Sequence, residues 1–185
     1  ILVTVAGDYK PGRVRFSLVD LSIPVTGLPI TIGRTYDSLE RGRMGDFGHG
    51  WSLAIGHPRL EVNPAKDVTL SMPDGRRVTF YFTPKPAPGV FGFMLLPDYT
   101  AAPGTYGSLG ADACPLLVVS AGSYFCFPGY EYSPTAYSYT DPYGRVYRLG
   151  ADGSLRWIQD LSGNKLTFTP DGISSSAGGL NVPFV

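Results

Sequence analysis

Apolar and polar residues alternate with a period of two at several places along the chain, the signature of antiparallel strands that bury one face. Val14, Phe16 and Leu18 fall on one side of such a stretch, and Arg13, Arg15 and Ser17 on the other. Val68, Leu70 and Met72 repeat the pattern, as do Val78, Phe80 and Phe82 with Arg77, Thr79 and Tyr81 opposite. Between these two runs lies Met72-Pro73-Asp74-Gly75-Arg76, in which Asp74 and Gly75 can take the positive φ angles of a hairpin turn. The pattern therefore predicts a hairpin there. No window of ten or more residues carries a 3.6-residue apolar stripe, so no long helix is predicted.

The last third has a rhythm of its own. Tyr143-Gly144, Asp152-Gly153, Ser162-Gly163 and Asp171-Gly172 are turn signals 9, 10 and 9 residues apart, and strand-like residues 145–149, 154–160 and 165–169 lie between them. Evenly spaced short strands predict an up-and-down meander. In the first third, Pro24, Gly27, Pro29 and Gly33 interrupt residues 23–36, and a Gly-rich stretch follows at 42–50. Residues 83–143 are rich in Pro and Gly, and seven of the twelve tyrosines lie between Tyr124 and Tyr147. This middle part reads as irregular insertions on a β-scaffold, because its aromatics need burial or a partner. The tyrosines allow two readings, cross-strand pairs that stiffen a sheet or an exposed face that stacks on sugars, and the first is the simpler.

Composition points the same way. The 24 glycines and 17 prolines are roughly a fifth of 185 residues, and twelve Asp stand against three Glu, a bias toward turns rather than helix surfaces. Length sets one β-rich domain, 1–185, as the expectation, with 1–56 an entry segment around a Gly-rich corner, 57–137 hairpins plus the irregular insertion, and 138–185 the meander. Fifteen Lys and Arg balance fifteen Asp and Glu. A neutral chain lacks the basic footprint of nucleic-acid binding, and no apolar run approaches the ~20 residues of a membrane span. Cys114 and Cys126 either close a disulfide, worth roughly 3 kcal/mol and implying export, or remain two buried thiols. The last residues, 181–185, are largely apolar and read as a ribbon cut before further strands.

Three segments, in order, resemble the start of an RHS/YD-repeat protein, the family of bacterial polymorphic-toxin shells, the BC component of insecticidal Tc complexes and the teneurin barrel. They are residues 20–38 (DLSIPVTGLPITIGRTYDS), residues 45–52 (GDFGHGWS, similar to the family's Gly-x-x-Gly-x-Gly-Trp element) and the Asp-Gly and Tyr-Gly turns between Asp141 and Asp171. The resemblance covers about residues 13–82 and 138–173. It implies a β-sheet that spirals into a hollow shell, closed at one end by its N-terminal part and holding a toxic C-terminal segment that many members release by self-cleavage. Asp141-Pro142-Tyr143-Gly144-Arg145 departs from the full Tyr-Asp-x-x-Gly-Arg repeat, and no cleavage region is recognisable, so the chain is similar to the opening segment only.

Candidate chemistry is sparse. Asp46-Phe47-Gly48 imitates the kinase metal triplet without a Gly-rich loop, strand lysine or His-Arg-Asp loop. Gly45, Gly48 and Gly50 instead suit a tight corner that folds Trp51 back onto a sheet. His49, His57, Cys114 and Cys126 lack the short chelating spacings of a zinc site. The twelve Asp are assigned to turn capping. Arg34 falls on the apolar face shared by Leu28, Ile30, Ile32 and Tyr36, where a guanidinium must be stacked or paired. It is expected to pack on Trp51 or a tyrosine and to meet Asp46 or Asp37, and the resemblance also places an Arg before Thr-Tyr at this point.

These features lead to an all-β fold, a curved antiparallel meander of hairpins with little or no helix. The expected role is non-catalytic and structural, without a cofactor or metal: a secreted or cell-surface segment that starts or plugs a β-shell. Expected partners are further β-repeats of the same or an identical chain, and an encapsulated toxin domain or a surface glycan. A self-assembling extracellular subunit and a glycan- or protein-binding β-module are the alternatives. Structural residues are Arg34, Tyr36, Gly45, Gly48, Gly50, Trp51, Asp74, Gly75, Gly144, Gly153 and Gly163.

Overall fold

A computed structural model describes residues 12–45, 47–54, 58–72, 76–89 and 92–183. The described residues fall into two compact units, 12–22 with 31–54 and 23–30 with 58–183, each taken by itself. The fold is all-β: every paired strand described is antiparallel, and the one helical element among the described residues is a single 3-10 turn at Ser38–Glu40.

The first unit holds β1 (Arg15–Ile23), β2 (Ile30–Asp37), β3 (Met44–Gly45), β4 (Gly48–His49) and β5 (Trp51–Ala54). Its main sheet has the order β1-β2-β5, and β3 and β4 form a separate ribbon. Asp37 ends β2 because its carboxylate turns back to accept the Leu39 amide, the cap that starts the 3-10 turn.

The second unit holds the remaining strands. A four-stranded sheet, β11-β8-β7-β6, is made from β6 (Arg59–Val62), β7 (Val68–Ser71), β8 (Arg77–Phe82) and β11 (Tyr99–Ala101). The predicted hairpin is β7–β8, paired Val68 to Phe80 and Leu70 to Val78, all four buried. Asp74 and Gly75 at its tip lie outside the described residues. Residues read as irregular from their Pro and Gly content carry a five-stranded sheet, β15-β14-β13-β10-β9. Its strands are β9 (Lys85–Pro86), β10 (Leu95–Leu96), β13 (Leu117–Ser120), β14 (Ser123–Cys126) and β15 (Tyr130–Glu131). Strands of two to four residues are too short to display readable alternation.

The meander is the largest sheet. β16 (Ala136–Thr140), β17 (Val146–Gly150), β18 (Leu155–Gln159), β19 (Lys165–Thr169), β20 (Gly172–Ser175) and β21 (Asn181–Pro183) pair in chain order, and β12 (Ser108–Asp112) adds to β16 from the other side. The predicted spacing is explained by its turns. Asp141 Oδ1 accepts the amides of Tyr143 and Arg145 at 2.8 and 2.9 Å, and Asp160 Oδ1 accepts those of Ser162 and Asn164, both at 2.9 Å. Each Asp-x-x-Gly loop then closes with the glycine at positive φ, +80° at Gly144 and +84° at Gly163, and Gly153 takes +82° in the turn between them. A side chain at Gly144 would be strained by that φ, and its Cβ would fall 2.4 Å from a Leu161 methyl.

The core of the second unit lies between two sheets. Val68, Leu70, Val78 and Phe80 of β7 and β8 pack with Leu109, Tyr137, Tyr139, Tyr147, Leu149 and Leu155 of the meander sheet. A second cluster gathers Phe82, Leu117 and Tyr132 around a disulfide joining Cys114 to Cys126, whose Cα atoms are 5.6 Å apart. Four of the seven clustered tyrosines, Tyr132, Tyr137, Tyr139 and Tyr147, are buried. Tyr139 and Tyr147 face each other across β16 and β17 with ring centroids 5.8 Å apart, the stiffening pair that the sequence allowed. Tyr130 and Tyr143 are exposed.

Candidate functional site

The first unit is built the other way round from the second. β1 alternates as predicted, yet both of its faces are open: Phe16 and Leu18 on the face expected to be buried, and Val19 and Leu21 on the other, are each 43–67% exposed. The correction has a simple cause, since alternation reports that a strand is amphipathic but not that anything covers it. Phe16 and Leu18 lie on one face, Val19 and Leu21 on the other, so β1 presents apolar side chains on both sides. It is also an edge strand, with β2 its one neighbour among the described residues. An edge strand that is apolar on both faces is what natural sheets avoid unless a partner covers it.

One face of the sheet is anchored by aromatics. Tyr36 pairs with Trp51 across β2 and β5. Phe16, Tyr36 and Trp51 form a triangle of rings with centroids 5.4–5.6 Å apart, Phe16 meeting Trp51 edge-on. The guanidinium of Arg34 sits 5.4 Å from the Trp51 ring centroid, as expected. Its carboxylate partner differs from the expectation. Arg34 Nε is 3.2 Å from Asp20 Oδ1 but is not aligned for a hydrogen bond, so the pair is a charge contact. Asp37 is engaged by Arg13 instead, and Asp46 lies outside the described residues. The Arg13 guanidinium holds the Asp37 carboxyl below the usual carboxylate range, helped by the Leu39 amide, although burial opposes it. Asp20 escaped the sequence reading because it is near Arg34 only once β1 lies beside β2. With Arg34 and Asp20 about 40% exposed (41% and 38%), stacking and ion pairing together are worth about 1 kcal/mol, and Arg34→Ala is expected to lower stability by that amount in a denaturant titration.

The predicted glycine corner is present. Gly45 pairs with Gly48 in the β3–β4 ribbon, Gly48 and Gly50 take φ of +104° and +76°, and the Gly50 carbonyl accepts the Asp37 amide at 2.8 Å. At Gly45 a Cβ would lie 1.8 Å from the Trp51 carbonyl oxygen, so the corner closes onto Trp51 only with glycine there.

The other candidate chemistry is accounted for by structure. The disulfide withdraws both thiols from any zinc site; His49 is exposed, and His57 lies outside the described residues. Asp37, Asp141, Asp152 and Asp160 each accept amides two to four residues on, the turn-capping role assigned to them, whereas Asp67 accepts the amide of Phe82 on β8. One turn had no Gly signal: Asn63 caps the Asp67 amide at 2.9 Å while Lys66 takes a φ of +70°. An Asn-Pro start was its only cue.

Among known proteins, residues 8–80 are similar to a family described as a domain of unknown function, DUF6531. No curated protein matches the chain. The matched stretch takes in the whole aromatic sheet of the first unit and the first hairpin of the second, and it ends before the meander.

Proposed function

We propose that this chain is a non-catalytic structural segment whose first unit joins further β-structure, and that it opens or plugs an RHS/YD-like shell on the outside of a cell. The observation that carries this reading is β1, an edge strand with four large apolar side chains exposed on its two faces. Covering one such side chain fully is worth about 1.5–3 kcal/mol, so a partner that covers four offsets much of the ~4–15 kcal/mol that association costs. The disulfide supports an oxidising compartment. The order of the DLSIPVTGLPI, GDFGHGWS and Asp-Gly segments supports the shell, and an enclosed toxin domain follows from that resemblance. A self-assembling subunit would use the same edge.

The test is sedimentation velocity over the micromolar range. The chain is expected to associate with rising concentration, and Leu18→Lys with Val19→Lys, one substitution on each face of β1, is expected to hold it monomeric with its circular dichroism unchanged. A sharp monomer for the unsubstituted chain overturns the reading, and regular filaments of uniform width favour the self-assembling subunit.

A further inference from the structure

The outer face of the meander sheet carries an arrangement that the shell reading does not use. Strand register places Gly110, Ser138, Arg148, Trp157, Thr167, Ser174 and Asn181 side by side across seven strands. From Ser138 to Asn181 this row spans about 24 Å at ~4.8 Å per strand. The row one step inward on the other face, Leu109, Tyr139, Tyr147, Ile158 and Leu166, is the core. The outward row is thus hydroxyl, guanidinium and amide, interrupted by one large ring.

Trp157 needs an explanation there. It is only partly buried, sits directly opposite Arg148 and carries the Lys165 ammonium 4.5 Å from its ring centroid. Arg148 is already held by both oxygens of Asp112 and by the Ser138 hydroxyl at 2.7 Å, which fixes its guanidinium. Lys165 has no carboxylate partner among the described residues, so its charge is met by the Trp157 ring. Gln159, opposite Lys165, adds an amide that reaches the Gly163 carbonyl at 3.3 Å. An indole with the Lys165 ammonium over its ring and a carboxylate-held guanidinium on the next strand, within a row of hydroxyls, matches a sugar ring that stacks its apolar face on Trp157 and directs a carboxylate or sulfate to Lys165.

We infer that this face binds an acidic oligosaccharide across β16–β20, with Trp157 as the stacking platform and Lys165 as the anion contact. The experiment is a fluorescence titration of a Trp51→Phe variant, which leaves Trp157 as its one tryptophan, with hexagalacturonate, a heparin hexasaccharide and neutral maltohexaose. A saturable change with an acidic probe, weakened severalfold by Lys165→Gln, is expected, with affinity falling as salt rises; isothermal titration calorimetry, which needs no tryptophan reporter, is expected to show binding weakened tenfold or more by Trp157→Ala. Circular dichroism of each variant checks the fold, and Lys165→Gln alone decides if Trp157→Ala misfolds. No saturable response to either acidic probe, or equal binding of maltohexaose, overturns the inference.

Discussion

Replacing Cys114 and Cys126 together by alanine lowers the unfolding free energy of the second unit by about 3 kcal/mol. The bond closes a short loop, residues 114–126, and a loop of that size contributes roughly 3 kcal/mol through the restriction it places on the unfolded chain. Both sulfurs are buried against Phe82, Leu117 and Tyr132, so the substitution also removes packing from the smaller of the two cores. At ~2–4 °C per kcal/mol for a chain of this length, the melting temperature falls by roughly 6–12 °C. Reducing agent acting on the unsubstituted chain lowers it as well, by somewhat less, because the thiols keep their packing. A melting curve that moves by less than about 2 °C in both experiments contradicts the placement of this bond at the centre of a core.

The second large effect is alkaline unfolding. Burial pushes the phenols of Tyr99, Tyr132, Tyr137 and Tyr147 above the ordinary tyrosine value. Tyr99 is raised furthest, and its hydroxyl lies 3.4 Å from that of Tyr132, so ionising one would place a charge against the other in an apolar site. Below about pH 10 these groups are protonated in both the folded and the unfolded chain, and they give no pH dependence. Above it the unfolded chain releases protons that the folded chain retains, so stability falls as pH rises. Each such tyrosine subtracts about 1.4 kcal/mol per pH unit. All four shifts act in the same direction, so stability is expected to fall steadily as pH rises above 10. Both cysteines are paired, so no free thiol is present to start disulfide exchange during the measurement. Circular dichroism against pH is expected to show a cooperative transition, and Tyr137→Phe with Tyr147→Phe to shift it to higher pH. Stability that stays level through pH 11 would remove the buried-phenol account.

The sequence made the second unit readable because its signals are local. Alternation in β7 and β8 and the capped turns at Asp141 and Asp160 are complete within ten residues, and each appears where the pattern put it. The same holds for the Gly45, Gly48 and Gly50 corner, while Arg34 meets the Trp51 ring, one of the rings expected, across 17 residues of chain. What escaped was non-local. Asp20 meets Arg34 only across two strands, β12 reaches the meander by skipping three intervening strands, and the five-stranded sheet is built from pieces too short to alternate visibly. The exposure of β1 escaped for another reason. An apolar face looks identical in sequence whether its cover is present or absent, so only the three-dimensional sheet reveals Phe16, Leu18, Val19 and Leu21 as open.

That openness is what the association reading rests on, and backbone hydrogen exchange along β1 interrogates it directly. Of the amides of residues 15–22, the alternate ones that point away from β2 are expected to exchange rapidly in dilute protein and to gain protection as concentration rises, while those of β7 and β8 stay protected throughout. Outward-pointing amides already protected in dilute monomer, or unchanged at every concentration, would contradict a strand that awaits a neighbour.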